Sequence, residues 1–500
     1  MTDLRFQWRT RMPVGPGEVY DWHARPGALE RLLPPWEHAT VVDRGSGLEE
    51  GSRVVLRVHL GPLRLRWVAR HQAPVIGSSF RDVQEAGPFA RWEHDHRMTP
   101  APDGTSVLED DVRCAPPLGP IGRFFGRGLV TRKLTRMFRY RHATTRADLV
   151  AHTAYGDAAP LKIAVTGASG LIGQALVPFL TTGGHSVLKL VRRAGREPDE
   201  VSWDPSSGQI VAERLEGVDA VIHLAGESIA SGRWSRARKE RIRSSRTDGT
   251  RLLARTLASL DKPPAVMVSA SAIGFYGERG GEVLDETASG GRDFLAEVCR
   301  AWERAADPAR DAGIRVVQPR IGVVLSPRGG ALAKMLPPFL LGAGGRFGHG
   351  GQYMSWIGID DVVGALLHAL RTPALVGPVN LVAPRPVTNT EFATTLGKVL
   401  RRPTVFPVPA FAARALFGEL AEALLLASTR VAPGRLSETG YVFRHVELEA
   451  ALRHLLGREA GGLTHGEPES EASDPGTQAI PTPPQEPVAA TERVESQEVV

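Results

Sequence analysis

The run Leu161-Lys-Ile-Ala-Val-Thr-Gly167-Ala-Ser-Gly170-Leu-Ile-Gly173 constrains this chain more than any other stretch. An apolar segment enters three glycines spaced by threes and continues as Gln174-Ala-Leu-Val-Pro-Phe-Leu180, which predicts a strand, a tight turn and a helix. A pyrophosphate needs donors close by with no side chain in the way. Glycines let the backbone turn sharply there, and a helix N-terminus offers unpaired N–H groups and a positive dipole end. An ordinary βα turn has the same outline. The apolar run Ser186–Val191 that follows completes a βαβ unit, and that context favours a nucleotide cradle built from Gly167, Ser169, Gly170, Leu171, Ile172 and Gly173.

The second strand of such a unit reports which dinucleotide is held. An acidic residue at its end suits a free ribose 2′-hydroxyl, whereas cations suit a 2′-phosphate. Here the strand ends in Arg192 and Arg193, so NADP is expected over NAD. The plainer alternative is that both arginines only solvate the strand end.

With 500 residues the chain is too long for one core. There is no apolar run of membrane-spanning length and no signal-peptide pattern at Met1-Thr-Asp-Leu-Arg5. Cys114 and Cys299 are the only cysteines and lie far apart, so neither a disulfide framework nor a zinc site is indicated; the expectation is a cytoplasmic protein with no membrane span. A net charge of +6 arises from scattered arginines on the body and an acidic stretch from Glu459 onward. Without a basic stripe interleaved with aromatics, nucleic acid is not an expected partner.

Residues 1–150 read as an α+β unit. Arg53–Leu60 and Leu63–Ala69 alternate about a Gly61-Pro62 turn, and further period-two runs lie at Ser79–Glu85, Phe89–Met98 and Ser106–Cys114. Short helical stretches lie near 18–23 and 27–33, and a long helical run spans about 122–150. With Pro13-Val-Gly-Pro-Gly-Glu-Val-Tyr-Asp-Trp22 and Gly87-Pro-Phe-Ala-Arg-Trp-Glu-His94, this segment resembles the START-like, polyketide-cyclase-type helix-grip domains. The resemblance implies an apolar cavity between sheet and long helix, and hence an apolar ligand. His94 and His96 share one strand face, but with no third ligand evident they read as polar cavity or surface residues, and no metal is expected.

Residues 151–160 form a small-residue linker. Beyond them Asp219-Ala-Val-Ile-His-Leu-Ala-Gly226, Ala265-Val-Met-Val-Ser-Ala-Ser271 and Ile314-Arg-Val-Val-Gln-Pro-Arg320 read as buried strands alternating with helices. They imply a Rossmann, doubly wound parallel α/β sheet over 161–380. Residues 381–457 are expected to form a small C-terminal helical substrate-side domain, in which Thr388 caps a helix running through Leu400. Residues 458–500, acidic and Pro-rich, cannot bury enough surface to order themselves. Leu224, Ala225 and Gly226 join the cofactor-binding set because ligands gather at the carboxyl ends of such strands.

Leu224-Ala-Gly-Glu-Ser-Ile229, Arg233-Trp-Ser235, Met335-Leu-Pro-Pro338, Ser355-Trp-Ile-Gly-Ile-Asp-Asp361 and Pro386-Val-Thr-Asn389 resemble an atypical subfamily of the NAD-dependent epimerase/dehydratase branch of the short-chain dehydrogenase/reductases. That resemblance implies a small carbonyl or nucleotide-sugar-like substrate, and homodimers are common in the superfamily. It also implies a Tyr-x-x-x-Lys pair in which the lysine helps a phenol near pKa 10 to ionise. None of the six tyrosines has a lysine four residues on, and Phe294 or Leu295 takes the tyrosine's place. Two readings follow. In one, an enzyme uses Ser269 or Ser271 to orient a carbonyl and Tyr276 as proton donor beside a cation (Lys239, Lys334 or Arg320), with Glu227 as a base. Arg320 is alternatively a partner for Asp360 or Asp361, and Glu227 a turn cap. In the other, the protein binds NADPH without catalysis, as a sensor carrying an apolar-ligand module.

Overall fold

The computed structural model describes residues 3–458, apart from 61, 62, 118, 157 and 231, with backbone alone at 60 and 119–125. The tail expected to be disordered lies outside the described residues. In the N-terminal module, β1 (Leu4–Met12), β2 (Ala39–Asp43), β3 (Arg53–Leu60), β4 (Leu63–Val75), β5 (Ser79–Ala86), β6 (Arg91–Pro100) and β7 (Ser106–Ala115) form one antiparallel sheet in the order β1-β7-β6-β5-β4-β3-β2. Helices α1 (Pro16–Ala24) and α2 (Ala28–Leu32) follow β1, and α3 (Gly119–Thr153) closes the module. Strand β1 shows why the sheet has an inside: Leu4, Phe6 and Met12 are buried while Arg5, Gln7, Arg9 and Arg11 between them are exposed. The sequence expectation placed the end of α3 near residue 150. The helix continues through Thr153 and so takes in the start of the expected linker.

The interior of this module is not apolar throughout, as the family likeness implied. One cluster holds Met12, Trp22, Phe80, Met98, Leu108 and Leu149, and another holds Phe6, Trp92, Val112 and Phe138. Along β6 and β7 the buried polar residues His94, His96 and Asp110 stand between these clusters, and His142 of α3 is buried with them.

In the second module β8 (Lys162–Thr166), β9 (Ser186–Val191), β10 (Glu200–Asp204), β12 (Ala220–His223) and β13 (Val266–Ser269) are parallel. The sheet order is β11-β10-β9-β8-β12-β13, then the strand Arg315–Ile321 and β14 (Ser271–Ala272), with β11 (Gln209–Ile210) antiparallel at one edge and the strand Gly377–Leu381 pairing with Arg315–Ile321. Helices α4 (Leu171–Thr182), α5 (Arg236–Ala258) and α6 (Phe294–Arg304) belong to the crossovers. Strands β12 and β13 are buried at every residue, as parallel strands covered on both faces must be. Thr388 caps the helix Asn389–Leu400 in a capping box with Glu391. That helix packs on Leu448–Leu456 through Phe392, Leu396, Leu452 and Leu455.

The two modules share a buried ionic contact. Arg31 of α2, only 6% exposed in its side chain, places Nε 2.7 Å from Asp148 Oδ2 of α3 and Nη2 2.9 Å from Asp360 Oδ1 of the second module. Arg444 Nη2 lies 2.8 Å from Asp148 Oδ1. Alongside, a Cβ added to Gly27 (φ +97°) would stand 2.6 Å from Pro178 Cα in α4, so that glycine permits the backbones to approach. Removing one member of a buried charge cluster leaves the others uncompensated. Arg31→Met is therefore expected to lower unfolding free energy by about 3–5 kcal/mol, which a denaturant titration of the full chain would read.

Candidate functional site

The glycine loop ends β8 and opens α4. Gly167 has φ +71°, and a Cβ there would stand 2.8 Å from the Leu224 carbonyl carbon, while one on Gly173 would stand 2.3 Å from Gly167 O. Gly170 is roomier: it adopts an extended φ of −77° at the N-cap, and its Cβ would meet Gly167 O at 3.2 Å. Gln174 N–H donates to Gly170 O, so the N–H groups of Leu171, Ile172 and Gly173 have no partner within the helix and face its open end. Donors free of side chains at a positive helix end are what a pyrophosphate requires.

A buried polar chain fixes the floor of this loop. Thr166 Oγ1 accepts from Leu224 N–H at 3.1 Å and Ala225 N–H at 3.2 Å. Its own proton is therefore free for His223 Nδ1 at 2.7 Å, which leaves His223 Nε2 as the donor to Thr250 Oγ1 at 3.0 Å. Trp302 Nε1 of α6 donates to the same oxygen. Burial pushes the His223 imidazole down to about 4, so it stays neutral. Thus Leu224 and Ala225 lie beside Gly167, with Gly226 next in the chain, held by a histidine that periodicity gave no reason to single out.

At the end of β9 the two arginines differ. Arg193 is bound to the buried Glu200 carboxylate at 2.6 and 2.8 Å and holds that acid down to about 2. Arg192 is exposed and has no side-chain partner among the described residues.

The groups expected to carry chemistry are placed less openly. Tyr276 is fully buried. Its hydroxyl shares its proton between Asn380 Oδ1 at 2.7 Å and Asp285 O at 2.9 Å and accepts from Arg320 Nη1 at 3.0 Å. Of the three cations considered, Arg320 therefore is the one beside Tyr276. Lys239 pairs with Glu419 and lies over the Phe294 ring, and Lys334 donates to Ala230 O. The expected lowering of the phenol does not follow, because burial pushes Tyr276 up and Arg320 only offsets part of that. Arg320 pairs with Glu303 at 2.9 and 3.0 Å, not with Asp360 or Asp361. Asp360 faces Arg31, and Asp361 accepts the N–H groups of Arg444 and His445. Ser271 donates to Glu303 Oε1 at 2.8 Å, and Ser269 is buried at the end of β13. Glu227, at the mouth of β12, keeps a third of its side chain exposed and lies 3.4 Å from Arg238 and 3.5 Å from Arg241. Above this edge Arg233 donates to the carbonyls of Ala415 and Leu416, which brings the helix Ala410–Phe417 over the segment after β12. Phe294, where the tyrosine of a standard dyad would stand, packs edge-on to Trp234.

Three family models match in chain order: polyketide cyclase / dehydrase and lipid transport over 12–138, the NAD dependent epimerase/dehydratase family over 163–381, and a domain of unknown function over 408–455. The epimerase family protein Mb2239 of Mycobacterium bovis is 46% identical over 296 residues, 59% of this chain and 98% of that protein. The chain belongs to the epimerase family. Its human relative, epimerase family protein SDR39U1, is 37% identical over 299 residues, 59% of this chain and 100% of that protein. Both modules have a counterpart in the nucleoside-diphosphate sugar epimerase from Corynebacterium glutamicum, a crystal structure with TM-score 0.75, 36% identity and coverage of 91% of this chain and 90% of that one. A crystal structure of human SDR39U1 with NADPH matches at TM-score 0.55 and 36% identity, over 59% of this chain and 99% of that one. Among the described residues no helix is long and apolar enough to cross a membrane.

The glycines give the cradle a graded test. Gly173→Ala, whose Cβ would stand 2.3 Å from Gly167 O, is expected to weaken NAD(P)H binding by tenfold or more, whereas Gly170→Ala, whose Cβ would meet that oxygen at 3.2 Å, should shift it less. Fluorescence titration of both variants reads the difference.

Proposed function

We propose that this epimerase-family chain is an NADP(H)-dependent oxidoreductase or epimerase acting on a small carbonyl or nucleotide-sugar-like substrate without a tyrosine–lysine dyad. The observation that carries this reading is the loop itself, in which Gly167 and Gly173 bring backbone against backbone beneath the open end of α4. The NADPH bound by the human relative supports the same cofactor here. A nicotinamide held there supplies hydride transfer. Arg192, unlike Arg193, has its guanidinium available for a 2′-phosphate, and Ser169, Leu171 and Ile172 line the pyrophosphate side. Ser269 orients the substrate carbonyl, and Glu227, the partly exposed acid at the mouth of β12, exchanges the proton with solvent. Tyr276 and Ser271 position this edge of the sheet through Arg320, Glu303 and Asn380.

The sealed Tyr276 hydroxyl also favours a second reading, in which the chain binds NADPH without turnover and acts as a sensor. Steady NADPH oxidation with one compound from a carbonyl and nucleotide-sugar panel would select the enzyme; a stable, unreactive complex would select the sensor.

Two outcomes test the assignments. Arg192→Ala is expected to weaken NADPH binding by about tenfold or more while leaving NADH unchanged, since only the 2′-phosphate differs; Arg193→Ala should shift both equally. Tyr276→Phe leaves Asn380 and Arg320 without their buried partner, and is expected to lower stability by about 1–3 kcal/mol. It should keep turnover on an identified substrate within about threefold, where Glu227→Gln lowers kcat at least tenfold. A Tyr276→Phe protein that folds with NADPH bound but has lost turnover would return the proton to the phenol.

A further inference from the structure

The N-terminal module buries more titratable side chains than its packing needs. Asp82 of β5, His94 and His96 of β6, Asp110 of β7 and His142 of α3 converge from four elements, and His71 of β4 joins them through Asp82. All but Asp82 are almost fully buried, and the Asp82 side chain is 21% exposed. One donor atom each from Asp82, His94 and His96 lies within 4.8 Å of the other two.

Distances within the group fall into two kinds. Asp82 Oδ2 is 3.2 Å from His96 Nε2 and 3.8 Å from His94 Nδ1. Donors around a tetrahedral ion with bonds of about 2.0–2.2 Å stand about 3.3–3.6 Å apart, so both histidine atoms lie close to the spacing from Asp82 that one ion needs. The remaining ring and carboxylate atoms face outward onto partners. His94 Nε2 lies 2.8 Å and His96 Nδ1 2.7 Å from Asp110 Oδ1, while His142 Nε2 bonds Asp110 Oδ2. His71 Nδ1 lies 2.8 Å from Asp82 Oδ1. Ligating histidines characteristically direct their second nitrogen to a carboxylate, which sets the tautomer and the ring orientation.

Hydrogen bonding accounts for only part of the inner face of this group: His96 Nε2 bonds Asp82 Oδ2 at 3.2 Å, whereas His94 Nδ1 stands 3.8 Å from the same oxygen, beyond hydrogen-bond distance.

We propose that Asp82, His94 and His96 form a binding site for a divalent transition-metal ion of the zinc type inside the helix-grip module. Asp110 is the carboxylate that orients both histidines, and His71 fixes the free oxygen of Asp82. Two imidazole nitrogens and one carboxylate oxygen are the donor set that zinc and its first-row neighbours accept. Three protein donors leave a coordination position for water or for an oxygen atom of a ligand entering past Asp82. The class of ligand this module takes is then one with an oxygen donor, such as a carboxylate or carbonyl, set in otherwise apolar surroundings.

The test uses the full chain, stripped with a chelator and titrated with Co2+ and Zn2+. The expected result is one ion per chain by elemental analysis and a visible ligand-field band with Co2+. His96→Gln and Asp82→Asn should abolish the band and weaken Zn2+ binding more than tenfold, and Asp110→Asn should weaken it by about 10–100-fold. Far-UV circular dichroism and the unfolding midpoint report whether each variant folds. Asp82, being partly exposed, keeps the test valid if His96→Gln does not fold. A flat titration of the folded wild-type chain overturns the proposal. So does binding that survives in folded Asp82→Asn and His96→Gln, which would place the ion on surface histidines such as His38 and His59.

Discussion

The buried guanidinium of Arg31 is the contact on which the arrangement of the two modules depends. It is held by Asp148 from its own module and by Asp360 from the dinucleotide-binding one, so Asp360 loses its guanidinium partner if the modules part. Charges removed from water hold a geometry strictly, because every misplacement leaves a desolvated group unpaired. The contact lies beside the Gly27–Pro178 approach and therefore fixes α2 against α4, the helix whose open end forms the glycine loop. The helix-grip interior and the glycine loop are thus parts of one packed body.

Two polar networks support the carboxyl edge of the parallel sheet, with different consequences. The Thr166–His223–Thr250 chain lies beneath the loop and satisfies the backbone donors of Leu224 and Ala225. It holds the backbone of Leu224 and Ala225 against Gly167 of the loop. The Ser271–Glu303–Arg320–Tyr276–Asn380 chain instead spends its hydroxyls on internal partners. The first network preserves a binding surface, and the second seals groups that the family likeness would have made reactive. That difference is why membership of the epimerase family speaks more directly to the cofactor than to the chemistry.

Much of this was legible in the residues. Period-two runs announced β3 through β7, and buried apolar runs announced β8, β12 and β13. The spacing of Gly167, Gly170 and Gly173 announced the turn. What remained hidden was pairing. Arg192 and Arg193 are adjacent and chemically alike, and only the position of Glu200 separates a free cation from a committed one. His94 and His96 were visible on one face, but Asp82 and Asp110 reach them from neighbouring strands through cross-strand registers such as Asp82 with His94 and His96 with Asp110.

The sequence by itself determined the two architectures, their order and the position of the glycine loop, because hydrophobic period and glycine spacing act over a few residues. It also established that a tyrosine–lysine dyad is absent, since that pair is a fixed four-residue interval. Only the tertiary structure decided that Tyr276 is sealed, that Arg320 faces Glu303, that Arg31 joins the modules and that His94 and His96 have carboxylates around them. Those outcomes depend on which charges are desolvated together, and desolvation is a property of the packed chain that no local stretch of residues contains.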